Sequence, residues 1–178
     1  MQKPRLRLLL LILVVVGFAG CDQHPAAPAQ PQGAVIAAGE IGSALPDFVA
    51  KDLQGQSISS ADLKGKVVLI DFWATWCQPC KKEMPGYQKL LDQYGSRGFA
   101  VVGLKSDIMA DSVNPLQFAK TIGVRYPLVI ASAELTHKFG GIEGLPTTMI
   151  YDRHGILRKK VIGFDYTESF EASLKPLL

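Results

Sequence analysis

Two cysteines separated by two residues, Cys77 and Cys80, are the part of this 178-residue sequence best suited to chemistry. A continuous apolar run with one acid, at residues 67–72, precedes them and is typical of a strand buried on both faces. After them, apolar residues recur at steps of three and four, as on one face of a helix. The free N–H groups and dipole at a helix N-terminus favour a thiolate. Because the spacing also lets the second thiol attack a mixed disulfide of the first, the pattern predicts dithiol–disulfide exchange.

A metal site and an inert structural disulfide are the alternative interpretations of this cysteine pair. Zinc takes about four ligands, but the histidines His24, His137 and His154 are scattered along the chain. A c-type haem site requires a histidine directly after the second cysteine, where this chain has Lys81. We therefore expect no metal and no cofactor, while the structural disulfide stays open as an alternative.

The remaining apolar patterns predict strands that alternate with helices and end in a hairpin. Buried strands are expected at residues 99–104 and 127–131, and a hairpin at residues 147–162. Asn114 followed by Pro115 predicts a helix N-cap with proline at the first helical position. This order of elements predicts an α/β sandwich with a mixed sheet.

Residues 68–85 (VLIDFWATWCQPCKKEMP) resemble the active-site segment of thioredoxins, and most of all that of membrane-anchored TlpA/ResA-type thiol–disulfide proteins. The resemblance runs from about Pro46 to the C-terminus. It implies a thioredoxin-like three-layer sandwich with a central mixed β-sheet. It also implies that Cys77 is an exposed nucleophile and Cys80 the resolving thiol of a redox disulfide, Cys77–Cys80.

The same resemblance assigns substrate-binding roles around the cysteines. Trp76 would flank the site, and residues 144–148 (GLPTT) match the loop that faces the CxxC in the family, where Pro146 would follow a cis peptide bond. The backbone beside such a proline pairs with an extended substrate peptide. The expected substrate-binding residues are therefore Trp76, Pro79, Leu145 and Pro146.

Two acidic residues complete the catalytic candidates. Asp71 lies inside the apolar run, where burial would raise its pKa, and it matches the acid of thioredoxins that helps to deprotonate the resolving cysteine. Glu83 follows Cys80 by one helical turn and shares its face; it resembles the active-site glutamate of the TlpA/ResA group. The alternative for Glu83 is a solvated charge beside Lys81 and Lys82.

The residues between the cysteines, Gln78 and Pro79, favour a reductase over an oxidase. They lack the histidine of strongly oxidising relatives, so the couple should lie closer to thioredoxin, at about −270 mV, than to DsbA, at about −120 mV. We predict a protein-disulfide reductase with disulfide-bearing proteins as substrates. The resemblance to the TlpA/ResA group implies a membrane dithiol donor, and cytochrome c maturation and envelope disulfide repair are both open. A peroxiredoxin-like antioxidant is one alternative, although that motif requires other residues at Ile70 and Ala74. A non-catalytic adaptor lipoprotein is the other.

The N-terminus predicts export. A basic stub, an apolar run at residues 8–16 and small residues before Cys21 are typical of a secretory signal, and the run is shorter than the ~18–20 residues of a membrane span. Residues 16–21 resemble a bacterial lipoprotein signal, which implies removal of residues 1–20 and lipidation of Cys21. An uncleaved signal anchor and a cleaved signal without lipidation are the alternatives. Residues 21–45 then predict a flexible linker, with an extra strand within residues 35–41 as the alternative, and residues 46–178 predict the domain.

Composition and charge are those of an ordinary globular domain. The hydrophobic fraction of 48% and the charged fraction of 20% are ordinary for one domain. A net charge of +3, with no basic stripe, argues against a nucleic-acid partner. The predicted location is the cell envelope, outside the cytoplasm, with a lipid anchor in the inner membrane.

Overall fold

The computed structural model describes residues 36–106, 109 and 112–178. In chain order the strands and α-helices of this part of the chain are β1 (Val49–Lys51), β2 (Ser57–Ser59), β3 (Val67–Trp73), α1 (Gln78–Tyr94), β4 (Phe99–Ser106), α2 (Pro115–Thr121), β5 (Leu128–Ala131), α3 (Ala133–Lys138), β6 (Thr147–Tyr151), β7 (Leu157–Ile162) and α4 (Thr167–Leu174).

A five-stranded mixed sheet in the order β5-β4-β3-β6-β7 forms the centre of the domain. Strands β3, β4 and β5 run parallel, while β6 and β7 are antiparallel to their neighbours. Strand β3 lies in the middle and is buried along its whole length, which is why its sequence is apolar on both faces. Strands β1 and β2 pair with each other in a separate hairpin.

Two apolar cores lie on the two faces of the sheet. Leu69 and Trp73 of β3 point into the core that contains the buried residues of α1, α2 and α4. Ile70 and Phe72 point into the other core, beside α3 and the β1–β2 hairpin. A mixed sheet covered on both faces confirms the predicted three-layer α/β sandwich.

The residues just before Pro46 differ from the flexible linker that the sequence predicts. The backbone N–H of Gly42 donates to the carbonyl of Leu157 (2.9 Å), that of Leu157 donates to Ser43 (2.8 Å), and that of Leu45 donates to Gly155 (2.7 Å). These backbone hydrogen bonds join residues 42–45 to the start of β7 and to the turn before it. Since any residue except proline can donate them, they do not require apolar residues at regular intervals in the sequence. The folded unit therefore begins upstream of residue 46.

The predicted signal at residues 1–20 and the linker as far as residue 35 lie outside the described residues, as does Cys21. Within residues 36–106, 109 and 112–178, no helix has the length and apolar character needed to cross a membrane.

Candidate active site

Cys77 and Cys80 form a disulfide at the point where β3 leads into α1. Cys77 is the N-cap residue of the helix, and its Sγ accepts a hydrogen bond from the backbone N–H of Cys80 at 3.2 Å. This donor is one of the N–H groups that a helix N-terminus leaves free, so it is available to a thiolate at the same position. In this oxidised state Cys77 is only 3% exposed and Cys80 is fully buried. The predicted nucleophile is thus less exposed than expected, although it remains the more accessible of the two.

Exposed side chains surround the buried disulfide. Trp76 is 40% exposed, and Gln78 and Pro79 are exposed as well. These residues occupy the turn into α1 and its first positions, where their side chains point away from the core. The predicted substrate-binding residues Trp76 and Pro79 are therefore available to a partner.

The other predicted substrate-binding residues lie in the segment that leads into β6. The Leu145–Pro146 peptide bond is cis, as the sequence resemblance implies. Thr147, which follows it, pairs with Phe72 near the end of β3, so Pro146 lies at the sheet edge from which the CxxC segment departs. Pro146 is buried, and half-buried Leu145 packs against both cores.

Glu83 is buried on α1, and its carboxylate has two hydrogen-bond donors. The Tyr87 hydroxyl donates to Oε2 at 3.1 Å, and the backbone N–H of Asp165 donates to Oε1 at 2.6 Å. Burial raises the pKa of Glu83 to about 7, although both hydrogen bonds act in the opposite direction. With 2% of its surface exposed, Glu83 is not the solvated charge of the alternative interpretation. Lys81 instead lies over the Phe118 ring at 5.5 Å.

Asp71 is fully buried in the middle of β3, on the side of the sheet that faces α1. Its backbone is paired with Gly103 of β4 and Thr148 of β6. Within the described part of the chain, neither carboxylate oxygen has a hydrogen-bond partner. Burial therefore raises the pKa of Asp71 well above its ordinary value, and the nearby charge of Glu83 raises it further. Burial thus favours the protonated form of the Asp71 carboxyl.

Three polar residues of this site are absent from the sequence-based candidates. Tyr87, expected only as part of an apolar helix face, bridges Glu83 and the Thr148 Oγ1, which is 2.9 Å from its hydroxyl. Burial raises the pKa of Tyr126 well above its ordinary value, and the nearby acids Asp71 and Glu83 raise it further. A tyrosine one helical turn after a glutamate is a signal that could have identified Tyr87. Thr148 and Tyr126 carry no such local signal.

A mixed sheet between helical layers, with a CxxC disulfide at the start of a helix, defines the class of thioredoxin-like proteins. The AhpC/TSA family model matches residues 41–160. The chain is 32% identical over 178 residues, 99% of each protein, to the thiol-disulfide oxidoreductase ResA of Bacillus thuringiensis (strain Al Hakam).

Solved structures agree with these matches. A thiol:disulfide interchange protein of the thioredoxin family from Chlorobium tepidum TLS superposes with a TM-score of 0.70 at 32% identity, covering 78% of this chain and 97% of its own. StoA from Bacillus subtilis gives a TM-score of 0.63 at 28% identity and covers 75% and 100%. The chain therefore belongs to the AhpC/TSA family, among the ResA-like thiol–disulfide oxidoreductases, and its activity is thiol–disulfide exchange.

Proposed function

We propose that this protein is a protein-disulfide reductase of the cell envelope, in which Cys77 is the nucleophile and Cys80 the resolving thiol. The Cys77 thiolate attacks a substrate disulfide, forms a mixed disulfide and releases one substrate thiolate. The Cys80 thiolate then attacks the Cys77 sulfur, which closes the intramolecular disulfide and releases the second substrate thiol. Two electrons pass to the substrate, and a dithiol donor must return them. The observation that carries the proposal is the helix N-cap position of Cys77, with an N–H donor on its sulfur.

Resolution requires that Cys80 lose its proton, and we assign this step to Glu83 and Asp71. Glu83 lies one turn beyond Cys80 on the same helix, and its pKa of about 7 lets it exchange a proton near neutral pH. Burial raises the pKa of Asp71 well above its ordinary value, and within the described residues neither of its carboxylate oxygens has a hydrogen-bond partner. We therefore assign the role of proton acceptor to Glu83, and Asp71 is a second acid in the same buried region.

The substrate polypeptide is proposed to lie against Trp76, Pro79, Leu145 and Pro146. The Pro146 carbonyl already accepts from the N–H of Gly163 at 2.8 Å. Among the described residues, no backbone hydrogen bond engages Leu145, whose N–H and C=O are therefore the groups open to an extended substrate strand. Contact through the backbone suits a reductase that accepts several protein disulfides.

The membrane partners and the location rest on the N-terminal sequence. A basic stub, a short apolar run and Cys21 support export and lipid anchoring outside the cytoplasm. An exported reductase needs electrons from across the membrane, which supports a membrane dithiol donor. Cytochrome c maturation and envelope disulfide repair are the two processes in which such a protein would act.

Insulin reduction by the purified protein, supplied with a dithiol, tests the proposed function. We expect activity above that of the Cys77→Ala/Cys80→Ala double variant, and a midpoint potential more negative than about −180 mV, the value for protein disulfide isomerase. A potential near about −120 mV would make the protein an oxidase, and one below about −300 mV with no activity would favour the static disulfide of an adaptor. Consumption of peroxide in place of insulin reduction would favour the peroxiredoxin-like alternative.

A further inference from the structure

The hydrogen bond from Asp165 to Glu83 joins two segments that are 82 positions apart in the chain. The donor is a backbone N–H in the loop between β7 and α4, and it reaches Glu83 Oε1 at 2.6 Å. The position of a backbone N–H is set by the conformation of the loop to which it belongs. What holds this loop therefore decides whether the Glu83 carboxyl keeps its partner.

The Asp165 side chain is bound from three sides. Its Oδ2 accepts from the Lys159 Nζ at 3.2 Å and from the Ser169 hydroxyl at 2.6 Å, and its Oδ1 accepts from the N–H of Tyr166 at 2.8 Å. Lys159 also donates to the Ser169 Oγ at 2.9 Å. Only about a quarter of the Lys159 and Asp165 side chains is exposed, so this ion pair is less screened than a pair at the open surface.

Lys159 is also connected to the second hydrogen-bond donor of Glu83, the Tyr87 hydroxyl, through contacts between aromatic rings. The Lys159 Nζ lies 4.9 Å from the centre of the Phe170 ring. The Phe170 ring meets the Tyr87 ring edge to face at 5.2 Å, and the Tyr87 hydroxyl donates to Glu83 Oε2. The polar cluster on the β7–α4 side thus supports both hydrogen-bond donors of the Glu83 carboxylate.

We propose that Asp165, Lys159 and Ser169 form a polar clamp that holds the Glu83 carboxyl in place through the Asp165 N–H, and that all three are positioning residues for thiol–disulfide exchange. The functional meaning of the clamp rests on the proposed role of Glu83. The existence of the clamp does not, because it can be tested in the oxidised protein without any turnover.

The charges around Glu83 make its pKa sensitive to changes in the clamp, which a purely structural role would not predict. The groups that face Glu83 are Asp71 from β3, Tyr87 from α1 and Asp165 from the loop, with Tyr126 nearby and Lys159 behind Asp165. The Asp165 N–H lowers the pKa of Glu83, whereas the negative charge of Asp165 raises it. Lys159 offsets that negative charge. Removing the anion and removing the cation should therefore move the titration of Glu83 in opposite directions.

The test is a carboxyl-detected NMR titration of Glu83 in the full oxidised chain, with Glu83→Gln to assign the resonance. Asp165→Asn keeps the backbone donor and a side-chain acceptor but removes the negative charge, so the Glu83 midpoint should fall by about 0.5 pH unit. Lys159→Met leaves Asp165 without its cation, so the midpoint should rise by about the same amount. Ser169→Ala removes one Asp165 contact without any change of charge, so it should loosen the loop that carries the Asp165 N–H and raise the Glu83 midpoint. An unchanged midpoint in Ser169→Ala would leave only an effect of charge and would overturn the clamp, as would no shift in any of the three variants.

Two ion pairs outside the clamp supply matched controls. Asp92→Asn removes an acid that Arg125 binds at 2.9 Å, and Lys175→Met removes a lysine that lies 2.9 Å from Glu171. Each makes the same charge change as one clamp variant but outside the clamp, and each should leave the Glu83 midpoint in place. Shifts as large as those of the clamp variants would reduce the effect to general surface charge and overturn the clamp.

The wild-type protein provides a second test that does not depend on any clamp variant folding. The Asp165 amide proton should titrate with the midpoint of Glu83, and this transition should vanish in Glu83→Gln. An Asp165 amide that ignores Glu83 would overturn the proposal. The pH profile of insulin reduction should also move with the Glu83 midpoint in the clamp variants. A moved midpoint with an unmoved profile would retain the contact and overturn the proposed role of Glu83 in exchange.

Discussion

At the scale of single residues, Glu83 and Asp71 are buried acids with raised pKa values. A carboxyl whose pKa is higher in the folded than in the unfolded chain stabilises the fold below its unfolded pKa and loses that contribution as the pH rises through the folded value. For Glu83 this interval runs from its ordinary value of 4.5 to about 7. The fold should therefore become less stable across this range, by on the order of 1–3 kcal/mol for Glu83.

The change Glu83→Gln should remove part of this dependence. The Gln side chain can still accept from the Asp165 N–H, but it carries no charge to bury. Urea unfolding of the oxidised protein between pH 5 and pH 8 should show a smaller loss of unfolding free energy in the variant than in the wild type. Glu134→Gln, which alters an acid on the surface of α3, is the control and should keep the wild-type slope. A wild-type slope in Glu83→Gln would contradict the effect of burial.

The two cysteines should differ in reactivity because they differ in position. Cys77 lies at the helix N-cap with an N–H donor on its sulfur, whereas Cys80 is completely buried. Iodoacetamide should modify Cys77 well before Cys80 in the reduced protein near neutral pH. In cells, Cys80→Ala should accumulate mixed disulfides with substrates and Cys77→Ala almost none. Equal alkylation of both thiols, with equal trapping by both variants, would reverse the proposed division of roles.

At the scale of elements, α1 and α4 approach each other at a glycine. A Cβ added at Gly86 would overlap the Thr167 hydroxyl and come within 3.2 Å of the Thr167 Cβ. Gly86→Ala should therefore separate the two helices and lower the free energy of unfolding by about 1–3 kcal/mol. Since α4 directly follows the loop that contains Asp165, this separation should also disturb the hydrogen bond to Glu83.

A second change tests the cause of this loss. Thr167→Ala in the Gly86→Ala background removes the overlapping hydroxyl and should recover most of the lost stability in urea unfolding. Gly95→Ala is the matched control: Gly95 has ordinary helical angles, and its Cβ would meet only the Leu91 Cδ1 at 3.5 Å. That control should be neutral or stabilising, by up to about 1 kcal/mol. A loss at Gly95 equal to that at Gly86 would show that packing against Thr167 is not the reason.

At the scale of the whole molecule, the length of the predicted membrane tether depends on where the folded unit begins. The backbone at Ala38 and Gly39 already lies against Phe139 and Gly140, which shortens the predicted tether from residues 21–45 to at most residues 21–37. As a random coil such a segment would span about 25 Å. We expect Cys21 to be the anchor, with the active site free to reach other envelope proteins at this distance.

Mass spectrometry of the protein extracted from membranes tests the anchor. A diacylated or triacylated N-terminus at Cys21 is the expected result, and Cys21→Ser should release the protein from the membrane fraction. An intact Met1 terminus would instead indicate an uncleaved signal anchor. An unmodified soluble protein would refute lipidation, while the redox activity of the domain would be unaffected.

The amino-acid sequence by itself determined the class of protein and the identity of its redox pair. Cys77 and Cys80 are three positions apart at a strand-to-helix junction, and the apolar run of β3 is local and periodic, so both features are visible without a structure. The cis bond before Pro146 came from a family motif rather than from any physical pattern. The sequence did not predict where the folded unit starts, because residues 42–45 are held by backbone hydrogen bonds. Such bonds produce no regular pattern of apolar residues in the sequence.

Only the tertiary structure decided how the acids are arranged. The partners of Glu83 and Tyr87 are Asp165 and Thr148, which are 82 and 61 positions away. One of these contacts is donated by a backbone N–H, a group that every residue except proline possesses and that no side chain marks. Burial, which raises the pKa of both acids, likewise depends on the neighbouring strands and helices that close over them. Long-range packing therefore sets the proton chemistry of a site whose sulfur chemistry is visible in the sequence.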